Sequence, residues 1–169
     1  MPVPVDVAPE KIPVVLLYNV DPDWTEAEKE EVISLSTHLG HALIEVGHPT
    51  VFVPLADDDV AGHLHSFDPA EYIVFNWCES LPGLSHSEWL VAKRLEMLGF
   101  TFTGADSEAL ALAQDKFRVK LLLDQAGIPT PAWHIYHPGE PLTWDRFPAI
   151  VKPMNEHCSA GITRDSVAL

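Results

Sequence analysis

Apolar and polar positions alternate in blocks along this chain. Ile12–Val20 is an apolar run rich in β-branched residues that leads into Asp21-Pro22-Asp23, and it predicts a first strand closed by a turn. Thr25 and Glu28 have capping-box spacing, and Val32, Leu35, Leu39, Leu43 and Val46 then recur at helical intervals until Gly47. A long amphipathic helix is expected there. Thr50–Leu55 and Tyr72–Phe75 predict the next two strands, with the acidic, His-containing stretch from Asp57 to Ser66 between them. Ser87–Leu98 predicts a helix ending at Gly99, and Phe100–Thr103 a fourth strand. The order β-α-β-(α)-β implies an α/β fold with a Rossmann-like parallel sheet and helices on both faces.

Ser107–Ala126 is expected to be helical, with at most a change of axis near Ala113, and closes at Gly127. The tetrapeptide Ile128-Pro129-Thr130-Pro131 then marks a boundary. The expected domains are therefore 1–127 and 128–169. In the second, Trp133–Tyr136, Phe147–Lys152 and Gly161–Leu169 predict strands of an antiparallel subdomain. About 40 residues rarely close a core alone, so this part is expected to be incomplete or to pack on something else.

Of the 169 residues, 47% are hydrophobic, enough for one ordinary core. No run approaches the roughly 18–20 apolar residues that cross a bilayer, and Met1-Pro2-Val3-Pro4 lacks a signal-peptide pattern, so a cytoplasmic location is expected. Cys78 and Cys158 stand far apart, which argues against a disulfide scaffold. The formal net charge of −15 disfavours nucleic-acid and membrane partners. Its distribution is uneven: residues 1–115 carry 4 Lys/Arg against 20 Asp/Glu, whereas residues 116–169 carry 6 against 5. A phosphate ligand is therefore expected in the later part, although Lys116, Arg118 and Lys120 also read as a solvated helix face.

Phe147–Ile162, FPAIVKPMNEHCSAGI, carries one lysine from a short apolar run into a small-residue loop. The run Ala149-Ile150-Val151 is expected to hold Lys152 at its end. Ser159, Ala160 and Gly161 lack bulk, so an anion could approach their backbone N–H groups closely. The Walker pattern is absent, and an ordinary β-turn is the competing reading. His63-x-His65 and the pair His38 and His41 are metal-ligand types without clustering, so solvated histidines are expected and no metal site is assigned. Asp57-Asp58-Asp59 lacks Ca²⁺-loop spacing and reads as a turn or helix start. Cys158 beside His157 lacks the geometry of a nucleophile pair, and Cys78 reads as buried packing.

Taken in order, several segments resemble the ATP-grasp carboxylate–amine ligases, and among them the D-alanine–D-alanine ligases. These are Phe75-Asn76 with Glu79 and Gly83; Leu98-Gly99-Phe100 with Thr103-Gly104-Ala105-Asp106-Ser107; Ala109-Leu110-Ala111-Leu112 with Asp115-Lys116; Lys120, Leu122 and Gly127-Ile128-Pro129-Thr130-Pro131; and Phe147-Pro148 with Ile150-Val151-Lys152-Pro153. The resemblance implies a Rossmann-like N-terminal domain followed by the first strands of an ATP-binding subdomain, in a protein using ATP and Mg²⁺. It implies phosphorylation of a carboxylate and attack of an amine on the acyl phosphate, with an amino acid or similar small carboxylate as substrate. Lys116 and Lys152 match lysines that reach ATP phosphates, and Glu156 to Gly161, with Ser159 and Ala160, matches the loop over the triphosphate.

The chain departs from that pattern in two places and in length. Glu156-His157-Cys158-Ser159-Ala160-Gly161 stands where the dipeptide ligases have Glu-Gly-Ser-Ser-x-Gly, and Asn19-Val20-Asp21-Pro22-Asp23-Trp24 lacks their Gly-Gly-x-Ser-x-Glu. The family's metal-binding carboxylates lie further downstream, so the chain reads as a truncated N-terminal portion, inactive by itself. The alternative is a non-catalytic doubly wound binding or oligomerisation module. Exposed edges of the unfinished sheet are expected to favour a homodimer through residues 130–169.

Overall fold

Val14–Asn19 forms β1, buried along its whole length, because it lies between two neighbours in a parallel sheet. The computed structural model describes residues 11–156 and 159–169. Its elements run α1 Glu26–Glu45, β2 Thr50–Leu55, α2 Val60–Leu64, β3 Ile73–Trp77, α3 Glu88–Met97, β4 Thr101–Phe102, α4 Ser107–Gln114, α5 Lys116–Gln125 and β5 Ala149–Ile150. A 3₁₀ turn Arg164–Ser166 and β6 Val167–Ala168 follow. The four-stranded sheet has the order β2-β1-β3-β4, all parallel, with Leu16 level with Phe52 and Phe75. The expected α/β class with a Rossmann-like parallel sheet is what the chain adopts.

Side-chain alternation gives the sheet two faces. Val15, Leu17, Val53, Leu55 and Val74 point to one, where Val60 and Leu64 of α2 and Val91 and Leu95 of α3 close the core over them. Fully burying a side chain of this size contributes about 1.5–3 kcal/mol. The opposite face carries Phe52, against which α1 lays Gly40. The capping box opens α1 as expected: Thr25 Oγ1 accepts from Glu28 N–H, and Glu28 Oε2 accepts from Thr25 N–H at 2.8 Å. The expected stripe is met in part: Val32, Leu39 and Leu43 are half-buried beside the buried Ser36 and Gly40, while Leu35 and Val46 are exposed, and the Phe52 ring lies so close to position 40 that only glycine fits there.

The chain divides into two compact units, the first ending at Ser107 and the second running from Glu108 to Leu169. In the first, Asp59 caps α2 by accepting from Gly62 N–H at 2.8 Å, which makes the acidic triplet a helix start. Glu96 of α3 accepts both the N–H and the hydroxyl of Ser107, at 2.7 and 2.8 Å.

The second unit differs from expectation in four places. The expected helix, allowed at most a change of axis near Ala113, instead divides into two at Asp115, whose carboxylate accepts from Arg118 N–H at 3.0 Å and starts α5. Trp133–Tyr136 is not a strand, since no strand among the described residues pairs with it; Trp133 instead stacks edge-on to Phe117 and donates Nε1–H to Asp124 at 2.9 Å. The expected strand to Lys152 shortens to Ala149–Ile150, the only two residues that β6 is long enough to pair. Within Gly161–Leu169, Thr163 caps a 3₁₀ turn, so only Val167–Ala168 extends. No described residue of this unit is fully buried.

Candidate functional site

The residues singled out for phosphate chemistry lie on α5 and on the segment after β5. Asp115 caps α5, and this places Lys116 as its first residue. Lys116 Nζ donates to the carbonyl oxygens of Met154, at 3.3 Å, and of Glu156, and its backbone N–H also donates to Met154 O at 3.3 Å. Lys116 and Glu156 are thus brought together. Lys152 lies two residues beyond β5 and is exposed, and no ion pair to it forms among the described residues.

Ser159, Ala160 and Gly161 are exposed and form a turn closed by Ile162 N–H to Ser159 O at 3.0 Å. Ser159 has φ +64° and Gly161 φ +70°. A Cβ on Gly161 would stand 2.9 Å from Pro153 Cγ, so the turn folds back onto the residue next to Lys152, and both φ and space require glycine there. Backbone N–H groups in a left-handed turn can hold an oxyanion. The expectations on His157 and Cys158 fall outside the described residues.

Lys120, one turn along α5, is committed elsewhere: Nζ donates to Thr130 Oγ1 and to Pro131 O. It fastens the Pro-rich segment to the helix. Charge pattern does not report these partners, which lie 10 and 11 residues along the chain.

A second polar group occupies the first unit, at the carboxyl ends of β1 and β3, where the strand order reverses; ligands of open parallel sheets bind outside such points. Asn19 is buried, its Oδ1 accepts from Glu79 N–H at 3.3 Å, and its Nδ2 finds no acceptor among the described residues. Asp21 Oδ2 accepts from Gly83 N–H at 2.7 Å, and Thr103 Oγ1 accepts from Asn76 N–H at 3.1 Å. Side chains at or just after the ends of β1 and β4 therefore hold the backbone at and after the end of β3. An open cavity of about 360 Å³ lies away from these groups, lined by Lys11, Pro13, Glu71, Tyr72 and Thr101 among others.

Electrostatics support structural roles for the other candidates. Burial pushes the Cys78 thiol up to about 12, consistent with packing. Asp57 is held below the usual carboxylate value, first by Asp59 N–H and then by His63, whose Nε2 lies 3.0 Å away. No three His, Cys, Asp or Glu side chains converge among the described residues. No helix among the described residues is long and apolar enough to cross a membrane.

No family model matches the chain. Individual relatives do. A D-alanine–D-alanine ligase of Aquifex aeolicus is 30% identical over 139 residues, covering 80% of this chain and 46% of the relative. One from a Synechococcus species is 36% identical over 103 residues, or 56% of this chain and 32% of the relative. One from Hydrogenovibrio crunogenus is 43% identical over 74 residues, or 41% and 24%. The chain thus spans less than half the length of each of these relatives. By sequence, the chain is related to the D-alanine–D-alanine ligases of the ATP-grasp superfamily.

Proposed function

We propose that this chain is the N-terminal portion of an ATP-dependent carboxylate–amine ligase and carries part of its triphosphate site. The observation that supports this most is Lys116 converging, from the start of α5, on the loop that follows Lys152, in a chain related to such ligases. Lys116 and Lys152 supply positive charge to the phosphates, while Ser159, Ala160 and Gly161 supply backbone donors; Glu156 offers its carbonyl to Lys116. Phosphoryl transfer is helped chiefly by such fixed charge and donors. In the whole protein, the γ-phosphoryl group passes from ATP to a substrate carboxylate, and an amine then displaces phosphate to leave an amide. Mg²⁺, when bound, would neutralise phosphate charge. We place the functional boundary near residue 127, where the Pro-rich segment begins, and the cell compartment as the cytoplasm.

The reading is tested by titrating ATP into the chain and following backbone amide resonances. Shifts at Lys116, Lys152 and residues 159–162, abolished by Lys116→Met or Lys152→Met, are expected, with an affinity weaker than micromolar. Shifts that both variants leave unchanged, or a micromolar site, would overturn it.

A second reading is a non-catalytic binding or oligomerisation module. It is favoured by the apolar surface of the second unit, where Phe147, Ile150, Val151 and Val167 are exposed beside the two-residue strands. On this reading, residues 130–169 pair two copies of the chain. Light scattering that returns a strict monomer at high concentration counts against it.

A further inference from the structure

Residues 1–115 hold 4 Lys/Arg against 20 Asp/Glu, so a lysine there has acidic groups in abundance around it. Lys29 pairs with Glu26 at 3.1 Å and Lys93 with Glu96 at 3.3 Å. Lys11 behaves differently. It lines the open cavity of about 360 Å³ together with Glu71, yet neither enters an ion pair among the described residues.

That cavity sits at the amino ends of the strands. Pro13 precedes β1, Ile73 opens β3 and Thr101 opens β4, and Ile73 N–H donates to Pro13 O at 3.1 Å, so the floor is sheet backbone. Glu71 stands in the turn before β3, where the N–H groups of Glu71 and Tyr72 both donate to Asp68 O, at 3.0 and 3.1 Å. The Lys11 stem runs past Gly47, at which a Cβ would stand 3.5 Å from Lys11 Cε. Both charges are thus carried on anchored chain, at the opposite end of the sheet from Asn19 and Thr103.

We infer that this cavity binds a small zwitterion: Glu71 takes its ammonium, Lys11 its carboxylate, and Ile12 and Pro13 the hydrocarbon between them. Two opposite charges that line one cavity without meeting leave a gap that a molecule carrying both charges closes. A plain anion drawn to Lys11 is repelled by Glu71 and by the acid surplus of the unit, and a plain cation at Glu71 leaves Lys11 unpaired. The site uses neither Lys116 nor Lys152 and is independent of the ligase reading.

The test is titration of the 169-residue chain with 6-aminohexanoate at low salt, followed by backbone amide resonances, beside hexanoate and hexylamine, which keep one charge each. Saturable shifts at Ile12, Ala70, Glu71, Tyr72 and Thr101 are expected, with both single-charge analogues about threefold weaker, the effect of losing one exposed ion pair. Lys11→Met should make 6-aminohexanoate bind no better than hexylamine, and Glu71→Gln no better than hexanoate. Both side chains are exposed, so the urea midpoints of the variants should match the native chain. Absence of saturable shifts at these amides overturns the site. Equal binding of the three compounds to the native chain does so too, as does a preference for the zwitterion that survives both substitutions.

Discussion

Gly40→Ala should destabilise the chain even though it replaces the poorer helix former by the best. Gly40 lies inside α1, and an added Cβ would meet Cε1 and Cζ of Phe52 at 2.2 Å. Carbon atoms at their best separation are about 3.5–4.0 Å apart, so the ring must yield by roughly 1.5 Å. Phe52 stands on the edge strand β2 and is itself edge-on to His41, with centroids 6.2 Å apart. Overpacking of this kind costs about 1–3 kcal/mol, against about 1 kcal/mol regained from helix propensity. A net loss of about 1 kcal/mol follows. The sign should reverse when the ring is removed: in a Phe52→Ala background, Gly40→Ala should stabilise by about 1 kcal/mol. Urea unfolding followed by circular dichroism gives all four corners of the cycle. If Gly40→Ala stabilises by the full amount with Phe52 present, close approach of α1 to the sheet does not depend on this glycine and the reasoning fails.

Three further outcomes are expected. The Glu96 carboxyl is held below its ordinary value first by Ser107 N–H and then by the Ser107 hydroxyl. Its folded pKa lies below an unfolded value near about 4.3, so its contribution is present above that pH and lost as pH falls through the folded value. Urea midpoints of the native chain should thus fall more steeply between pH 5 and 3 than those of Glu96→Gln, and equal slopes would refute the assignment. The Cys78 thiol, buried and pushed up to about 12, should react with an aromatic disulfide at pH 8 at least about 100-fold more slowly in the folded chain than in urea, measured in a Cys158→Ser background. Finally, on the proposed reading that this chain carries only part of a triphosphate site, a coupled assay of the 169 residues with ATP and D-alanine is expected to return no turnover, and a robust signal would contradict that reading.

Much of the first unit was legible because its signals are local. Thr25 and Glu28 announce a helix start by spacing alone, and the run from Val14 to Leu17 is apolar at every position, as a doubly covered strand requires. Asp115 was harder to read: its neighbours are all helix formers, and only the bond to Arg118 N–H reveals that it ends one helix and starts another. The strands expected in the second unit failed for a different reason. Trp133–Tyr136 and the ends of Phe147–Lys152 have strand-like composition, but a strand exists only where a partner supplies ladder bonds, and β6 supplies two residues. At the candidate site, residue types and order pointed to Lys116, Lys152 and the small loop. That Lys116 already grips Met154 and Glu156 depends on residues about 40 positions apart, which periodicity cannot report.

By itself, then, the sequence determined the alternating elements, their caps, the parallel sheet, and the kinship with ligases that its ordered motifs carry. These follow from hydrogen-bond periodicity and side-chain volume within a few residues. Only the tertiary structure decided which residue of α1 comes closest to the sheet, since the Phe52 ring on another element leaves room at position 40 for glycine alone. It also decided how the two α5 lysines differ. Lys120 is spent on Thr130 and Pro131, whereas Lys116 holds the loop of the candidate site, because a flexible ammonium takes whichever carbonyls the fold brings within reach.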